Sequence, residues 1–431
     1  MALAATLAAG CSKEPAPSGD KEKEQEKATA VTGIKLSKTD ILLKQGETFK
    51  ITATALPYDA DNRDVRWSSK NNSVVSVSSS GSNDATCTVT AARAGSSVIT
   101  VTSKDGSNVS ALCRVTVNAA GFEFSRGKRD SVRFYSHHSW VYTSGNVPDS
   151  ANNVMLYYYI PSGGADLKNK RVQFVMHGTT RNAWDYCDYW KADADKYDLV
   201  ILAPCFPKKP YDNNRYQYGS VVDASGAFND PENNTYRMIE SIFDFFIGCT
   251  GSTQAKYNIW GHSAGGQFCH RFAQFAYAPR VEYIVAANPG NYTFPDDTKE
   301  YPYGWLGKRG TYESQTGVSR ADIYAKKLIL MLGTSDVQRD ENLPKAAEDD
   351  AQGLTRYERG QNFFAFCQED ASRRSLTFNW KRVDVPGVAH EGGKMGKKLN
   401  YANKLGIPYV AVCGGSDRSH FFIRTQSLVE V

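Results

Sequence analysis

The chain has 431 residues, of which 41% are hydrophobic and 23% charged, with a formal net charge of +5. That length exceeds what one hydrophobic core organises, so two or three folded units are expected. Basic residues are interspersed with acidic ones and form no stripe, which argues against nucleic acid as a partner. No apolar run approaches the roughly 20 residues of a membrane-spanning helix.

Residues 1–10 are a short run of Ala and Leu in which Leu7-Ala8-Ala9-Gly10-Cys11 resembles the lipobox of bacterial lipoprotein signal peptides. The resemblance implies cleavage before Cys11 and acylation of its thiol. The product would be a lipoprotein anchored to a bacterial membrane, on the periplasmic side or at the cell surface. Removing Cys11 from the nine cysteines leaves eight, an even number for an oxidising compartment, and no CxxC spacing suggests a metal. Residues 11–30 are Lys, Glu, Pro, Ser and Ala with almost nothing apolar, the composition of a solvated tether.

Residues 31–118 alternate with period two between turn residues. Phe49, Ile51, Ala53 and Ala55 interleave with Lys50, Thr52 and Thr54, while Ile99 and Val101 interleave with Thr100 and Thr102. Several such half-buried strands at regular spacing predict a small all-β sandwich. Cys87 and Cys113 both fall on inward phases, which suits either a disulfide or two small buried hydrophobes. Val65-Arg66-Trp67-Ser68-Ser69, Val74-Val75-Ser76-Val77 and Ala94-Gly95 make this segment similar to the group 2 bacterial Ig-like domains. That resemblance implies a spacer, or a module that contacts carbohydrate or cell wall.

Residues 121–395 follow a different pattern. Apolar strands at 172–176, 199–203, 257–260, 283–287, 328–332 and 376–385 are separated by helical stretches, as in a mostly parallel sheet covered by helices on both faces. Ligands of such sheets bind at the carboxyl ends of the strands. There, Tyr257-Asn258-Ile259-Trp260 runs into Gly261-His262-Ser263-Ala264-Gly265-Gly266 and then into a helix with Phe268, Phe272 and Phe275 on one face. A GxSxG pentapeptide between strand and helix is the tight turn that lifts a nucleophilic serine clear of an α/β-hydrolase sheet.

A serine hydroxyl needs a base and an orienting acid later in such a chain. Of seven histidines, His390 lies in the loop after the last apolar strand and is preferred over His420, to which no strand obviously leads. The apolar stretch Leu328 to Leu332 ends at Asp336, which is preferred over Asp340 and Asp384 as the acid. The oxyanion hole would use backbone N–H groups of Ala264 and of Thr179, in His177-Gly178-Thr179-Thr180, with Arg181 and Asn182 organising that loop. Tyr292, Tyr303 and Trp305 suit either a substrate pocket or the packing of an inserted loop. No metal and no organic cofactor is required.

His177-Gly178, Arg181-Asn182-Ala183, Tyr186, Trp190, Ala203-Pro204, Gly261 to Gln267, Ala287-Asn288-Pro289-Gly290, Pro302-Tyr303-Gly304 and Val385-Pro386-Gly387 together resemble the polyhydroxybutyrate-depolymerase-like esterases. The likeness runs from about Val154 to His390, and that group is also similar to feruloyl and acetylxylan esterases. It implies a secreted or surface serine hydrolase acting on esters, in a polymer or on a polysaccharide. The alternatives are a peptidase of the same fold and a non-catalytic surface-binding lipoprotein. Residues 396–431 form an atypical tail. Lys397 to Pro408 with the apolar run to Val412 resembles a helix-strand piece of the anticodon-binding domain of histidyl-tRNA synthetases, but is too short to be that domain.

Overall fold

The computed structural model describes residues 28–80, 85–93, 95–118, 122–135 and 153–397. Cys11, the tether before residue 28, His420 and the tail after residue 397 lie outside the described residues.

The first unit is a sandwich of two four-stranded sheets. Strands β1 (Gly33–Leu36), β3 (Thr48–Leu56), β6 (Thr86–Ala91) and β5 (Val75–Ser80) form one sheet in that order; β2 (Asp40–Lys44), β8 (Ser110–Asn118), β7 (Gly95–Ser103) and β4 (Val65–Ser69) form the other. All pairings are antiparallel except β2 with β8. The alternation in the sequence is the alternation of burial. In β3, Ile51, Ala53 and Ala55 are buried while Lys50, Thr52 and Thr54 are exposed. Cys87 and Cys113 are inward, free and buried in one core with Ile51, Val89, Ile99 and Val115. Burial pushes both thiols up, Cys87 to about 11 and Cys113 to about 12, so they pack as hydrophobes.

The second unit is an eight-stranded sheet that continues the strand numbering: β9 (Arg129–Tyr135), β10 (Asn153–Tyr159), β11 (Arg171–Met176), β12 (Leu199–Cys205), β13 (Tyr257–His262), β14 (Val281–Ala287), β17 (Lys327–Gly333) and β18 (Lys381–Val385). The spatial order is β18-β17-β14-β13-β11-β12-β10-β9, with the five pairs from β18 to β12 parallel and β10 antiparallel to both its neighbours. The short hairpin β15 (Leu306–Gly307) and β16 (Gly310–Thr311) lies in the insertion between β14 and β17.

Ten helices accompany these strands among the described residues: α1 (Ala183–Tyr189), α2 (Lys191–Tyr197), α3 (Asn213–Tyr216), α4 (Arg237–Thr250), α5 (Ala264–Phe275), α6 (Tyr312–Thr316), α7 (Arg320–Tyr324), α8 (Ala347–Asp350), α9 (Arg356–Arg373) and α10 (Gly392–Lys397). The central strands read as continuous apolar runs because each face has its own core. Phe174, Ile259, Leu328 and Leu330 pack with Ile242 and Phe243 of α4, Phe268 and Phe272 of α5, and Phe363 of α9. On the other face, Val175, Trp260, Ile329 and Met331 pack with Ala183 and Cys187 of α1, Ala194 of α2 and Met395 of α10.

Two expected boundaries shift. The last strand covers only Lys381–Val385 and not 376–385, because Phe378 and Trp380 turn into the α9 side of the core, where Trp380 Nε1–H donates to the Ile323 carbonyl at 3.1 Å. A domain end at residue 395 falls inside α10, whose Met395 is fully buried, so the unit continues to Lys397. No helix among the described residues is long and apolar enough to cross a membrane.

Candidate functional site

Ser263 stands between β13 and α5 at φ 59°, ψ −117°, a backbone conformation that L-residues adopt only under constraint. Its N–H donates to the Ala287 carbonyl at 2.9 Å, and its own carbonyl accepts Gln267 N–H at 2.9 Å, so neighbouring strand and following helix both hold the turn. Helix α5 enters so close under β11 that a Cβ on Gly265 would lie 2.3 Å from the Met176 carbonyl oxygen. Glycine there is a requirement of the close approach.

Two loops bring side chains to this turn. His390, five residues after β18, places Nε2 2.9 Å from Ser263 Oγ and Nδ1 2.7 Å from Asp336 Oδ2. Asp336, three residues after β17, is almost fully buried, and its backbone carbonyl accepts Tyr357 N–H from α9 at 3.3 Å. Asn288 ties the two loops together: Oδ1 accepts Gly333 N–H at 2.8 Å and Nδ2 donates to the Ala389 carbonyl at 3.2 Å. Ser263, His390 and Asp336 therefore stand in one hydrogen-bonded row.

The competing candidates have other partners. Asp340 takes both terminal nitrogens of Arg356, at 2.7 and 2.8 Å, and those bonds hold its carboxyl down at about 2. Asp384 lies within β18 and pairs with Arg382 at 3.2 Å. His177 accepts Phe206 N–H on Nε2 at 3.0 Å and has Nδ1 2.9 Å from the Gly178 carbonyl; burial pushes it down to about 3. His270 is likewise buried, between the Gly266 carbonyl and Thr293 N–H. His262 is buried against the row itself: its ring centroid is 4.6 Å from that of His390, and its Nδ1 is 3.2 Å from the Tyr186 hydroxyl. Burial, then the nearby His390 and Arg356, lower its proton affinity well below that of an ordinary imidazole.

Ala264 is the first residue of α5, so its N–H has no partner within the helix. The loop carrying Thr179 passes beside Ser263, since a Cβ on Gly178 would sit 3.9 Å from Ser263 Cβ. That loop is braced from below. Tyr216 O–H donates to the His177 carbonyl at 2.7 Å, and Arg181, at φ 63°, stacks over Tyr216 at 4.4 Å and donates to the Phe206 carbonyl at 3.2 Å. Asn182 Nδ2 donates to Asp185 Oδ2 at the start of α1.

The aromatic candidates separate. Tyr292 stacks on Phe363 at 4.6 Å and Trp305 donates Nε1–H to Gln274 Oε1 at 2.8 Å beneath the Arg320 guanidinium; both are fully buried, which favours packing, the second of the two readings. Tyr303 is half-buried and lines a cavity of about 470 Å³ with Phe294, Tyr301, Pro302, Lys299 and Gln352. Arg356, which faces Asp336 Oδ1 at 3.5 Å, was missed in the sequence. It belongs to no motif, and nothing in its position twenty residues after Asp336 marks it.

Residues 30–115 match the family described as bacterial Ig-like domain (group 2), a kind of domain typical of extracellular bacterial proteins. A stretch of 86 residues is 40% identical to an uncharacterized protein of Clostridium acetobutylicum, covering 20% of this chain and 20% of that protein. A second protein of that organism is 34% identical over 90 residues, covering 21% of this chain and 9% of that protein. The chain thus spans a fifth or less of the length of these curated relatives.

The larger unit is similar in structure to poly(aspartic acid) hydrolase-1 from Sphingomonas sp. KT-1, with 30% identity and a TM-score of 0.55 over 65% of this chain and 99% of that one. It is also similar to LpqC, a poly(3-hydroxybutyrate) depolymerase from Bordetella parapertussis, with 27% identity and a TM-score of 0.57 over 66% of this chain and 92% of that one. With the serine turn and the sheet order, these likenesses show that the larger unit is a serine hydrolase of the α/β-hydrolase fold, preceded by a group 2 bacterial Ig-like domain.

Proposed function

We propose that this protein cleaves carboxylic esters by acyl transfer through Ser263, and that its substrate is polymeric or attached to a polymer. The observation that carries the reading is His390, whose two ring nitrogens meet Ser263 Oγ at 2.9 Å and Asp336 Oδ2 at 2.7 Å. In that arrangement Nε2 takes the hydroxyl proton as Oγ attacks the ester carbonyl, while Asp336 fixes the tautomer and balances the imidazolium. The N–H groups of Ala264 and Thr179 receive the developing oxyanion. His390 then returns the proton to the departing alcohol, and water repeats the sequence on the acyl-enzyme to release the acid. The turn at Ser263 supports this order of events because it holds Oγ beside the base before substrate arrives.

The likeness to a poly(3-hydroxybutyrate) depolymerase supports an ester in a polymer. The likeness to a poly(aspartic acid) hydrolase favours a second reading, since poly(aspartic acid) is joined by amide bonds. Among the described residues no group of three His, Cys, Asp or Glu is gathered as metal ligands would be. Acylation of Cys11 would hold the enzyme at a bacterial membrane, with residues 12–30 as tether and the Ig-like domain as spacer. Radiolabelled palmitate incorporated by the wild type and not by Cys11→Ser tests that anchor.

Hydrolysis of matched esters and amides tests the reaction: hydroxybutyrate oligomers, feruloyl and acetyl sugars, and short aspartyl oligomers. The proposal expects ester turnover that disappears in Ser263→Ala. Amide cleavage without ester cleavage would assign the second reading, and no turnover of either by folded protein would remove both.

A further inference from the structure

The acid of the row is accompanied by a buried cation that has a second carboxylate to itself. Arg356 is the first residue of α9 and its side chain is 1% exposed, as is that of Asp336. A guanidinium so buried requires a counter-charge. Two carboxylates are within reach, and the distances decide between them. Asp340 accepts from Nη1 at 2.7 Å and from Nη2 at 2.8 Å, a bidentate pair. Asp336 Oδ1 stands 3.5 Å from Nη1, at the limit of a hydrogen bond, while its Oδ2 accepts His390 Nδ1–H at 2.7 Å.

The guanidinium is therefore committed to Asp340 and only faces Asp336. Were Asp340 absent, the buried Arg356 would turn to the remaining carboxylate and compete with the imidazole for it. Were Arg356 absent, two carboxylates four residues apart on one loop would repel each other, and Asp336 would lose its lateral support.

We propose that Arg356 and Asp340 form a charge-balanced positioning pair: Arg356 steadies Asp336 from the side opposite His390, and Asp340 occupies the guanidinium so that Asp336 stays bound to the imidazole. The inference rests on the triad reading above. The groups around His390 are few. Ser263 and His262 face it from the β13–α5 turn, and Asp336 and Asp340 from the loop after β17; Arg356 of α9 stands behind them, acting on Asp336 and His262, and Glu391, next in the chain, is paired with Lys394 at 2.8 Å. Burial already keeps His262 in its neutral form, so Arg356 and Asp340 are the adjustable charges.

The test is the pH profile of kcat/KM for ester hydrolysis in wild type, Asp340→Asn, Arg356→Met and the double variant, each checked for folding by circular dichroism. Removing the negative charge of Asp340 disfavours the imidazolium, so the acid limb moves to lower pH. Removing the positive charge of Arg356 favours it, so the limb moves to higher pH. Shifts of about half a pH unit or more are expected, with the double variant returning close to wild type. In Asp340→Asn, kcat falls about 10- to 100-fold while KM changes little, because the acid is displaced and the substrate site is not.

Limbs that stay in place, or that move the same way in both single variants, overturn the proposal. If Arg356→Met does not fold, Asp340→Asn alone decides, with Asp340→Glu expected to restore the wild-type limb. Ester turnover by the wild type separates the two levels. Without it the triad reading fails; with it and with unmoved limbs, only this inference fails.

Discussion

The ring of His262 lies between two others: 4.6 Å from that of His390, centroid to centroid, and stacked on Trp260 at 6.4 Å. His390 is thus held by packing as well as by hydrogen bonds at its two ring nitrogens. His262→Ala opens a cavity behind it, expected to cost about 2–4 kcal/mol of stability. It should lower kcat at least tenfold with little change in KM. Thermal unfolding and steady-state kinetics on one ester check both; an unchanged kcat would remove His262 from the support of the base.

Asn288 joins the strand end before Asp336 to the loop that carries His390, and it does so at φ 44°. Asn288→Ala loses both side-chain bonds and strains the backbone, for an expected loss of about 2–4 kcal/mol. Asn288→Gly removes the same bonds without the strain. It should therefore be the more stable of the two and equally impaired in kcat, as denaturant titration beside kinetics would register.

Two glycines near the serine separate folding from catalysis. At Gly265 a Cβ would strike the Met176 carbonyl oxygen at 2.3 Å, backbone that cannot yield. Gly265→Ala should accumulate as insoluble protein. At Gly178 the obstacle is the Tyr186 hydroxyl at 2.8 Å, a side-chain end that also touches His262. Gly178→Ala should fold and lose activity through the oxyanion loop, and soluble yield against specific activity distinguishes the two.

The Asp340 carboxyl, held down at about 2 by Arg356, makes an acid-side contribution to stability. The sign follows from linkage: a carboxyl with a depressed folded-state value stabilises above its unfolded value, near 3.9, and that contribution is lost as pH falls from about 4 to 2. Asp340→Asn should therefore be less stable than wild type at pH 6, with the difference closing toward pH 2. Urea midpoints at the two pH values provide the comparison, and a constant difference would contradict it.

Much of this arrangement was legible in the sequence because the elements concerned are periodic or punctuated. Ile51, Ala53 and Ala55 show their burial by alternation, and the serine turn shows itself by glycines between a strand and a Phe-lined helix. His390 and Asp336 were reachable because each follows an apolar strand. Tyr292 and Trp305 were not resolved by pattern, since an aromatic residue after a strand packs inward or lines a pocket with the same spacing; their burial on Phe363 and Gln274 decides it. Arg356 was invisible, because an arginine opening a polar helix carries no sign of a carboxylate folded back from twenty residues upstream. The strand expected from residue 376 failed for a related reason: Phe378 and Trp380 look like strand residues until α9 is placed above them.

The central claim is that Ser263 is activated by His390, and labelling with a fluorophosphonate followed by peptide mass mapping tests it most directly. The predicted result is a single phosphonyl group on Ser263, absent in Ser263→Ala and strongly slowed in His390→Ala. Folded wild-type protein that takes no label, or label that persists in Ser263→Ala, would contradict the account.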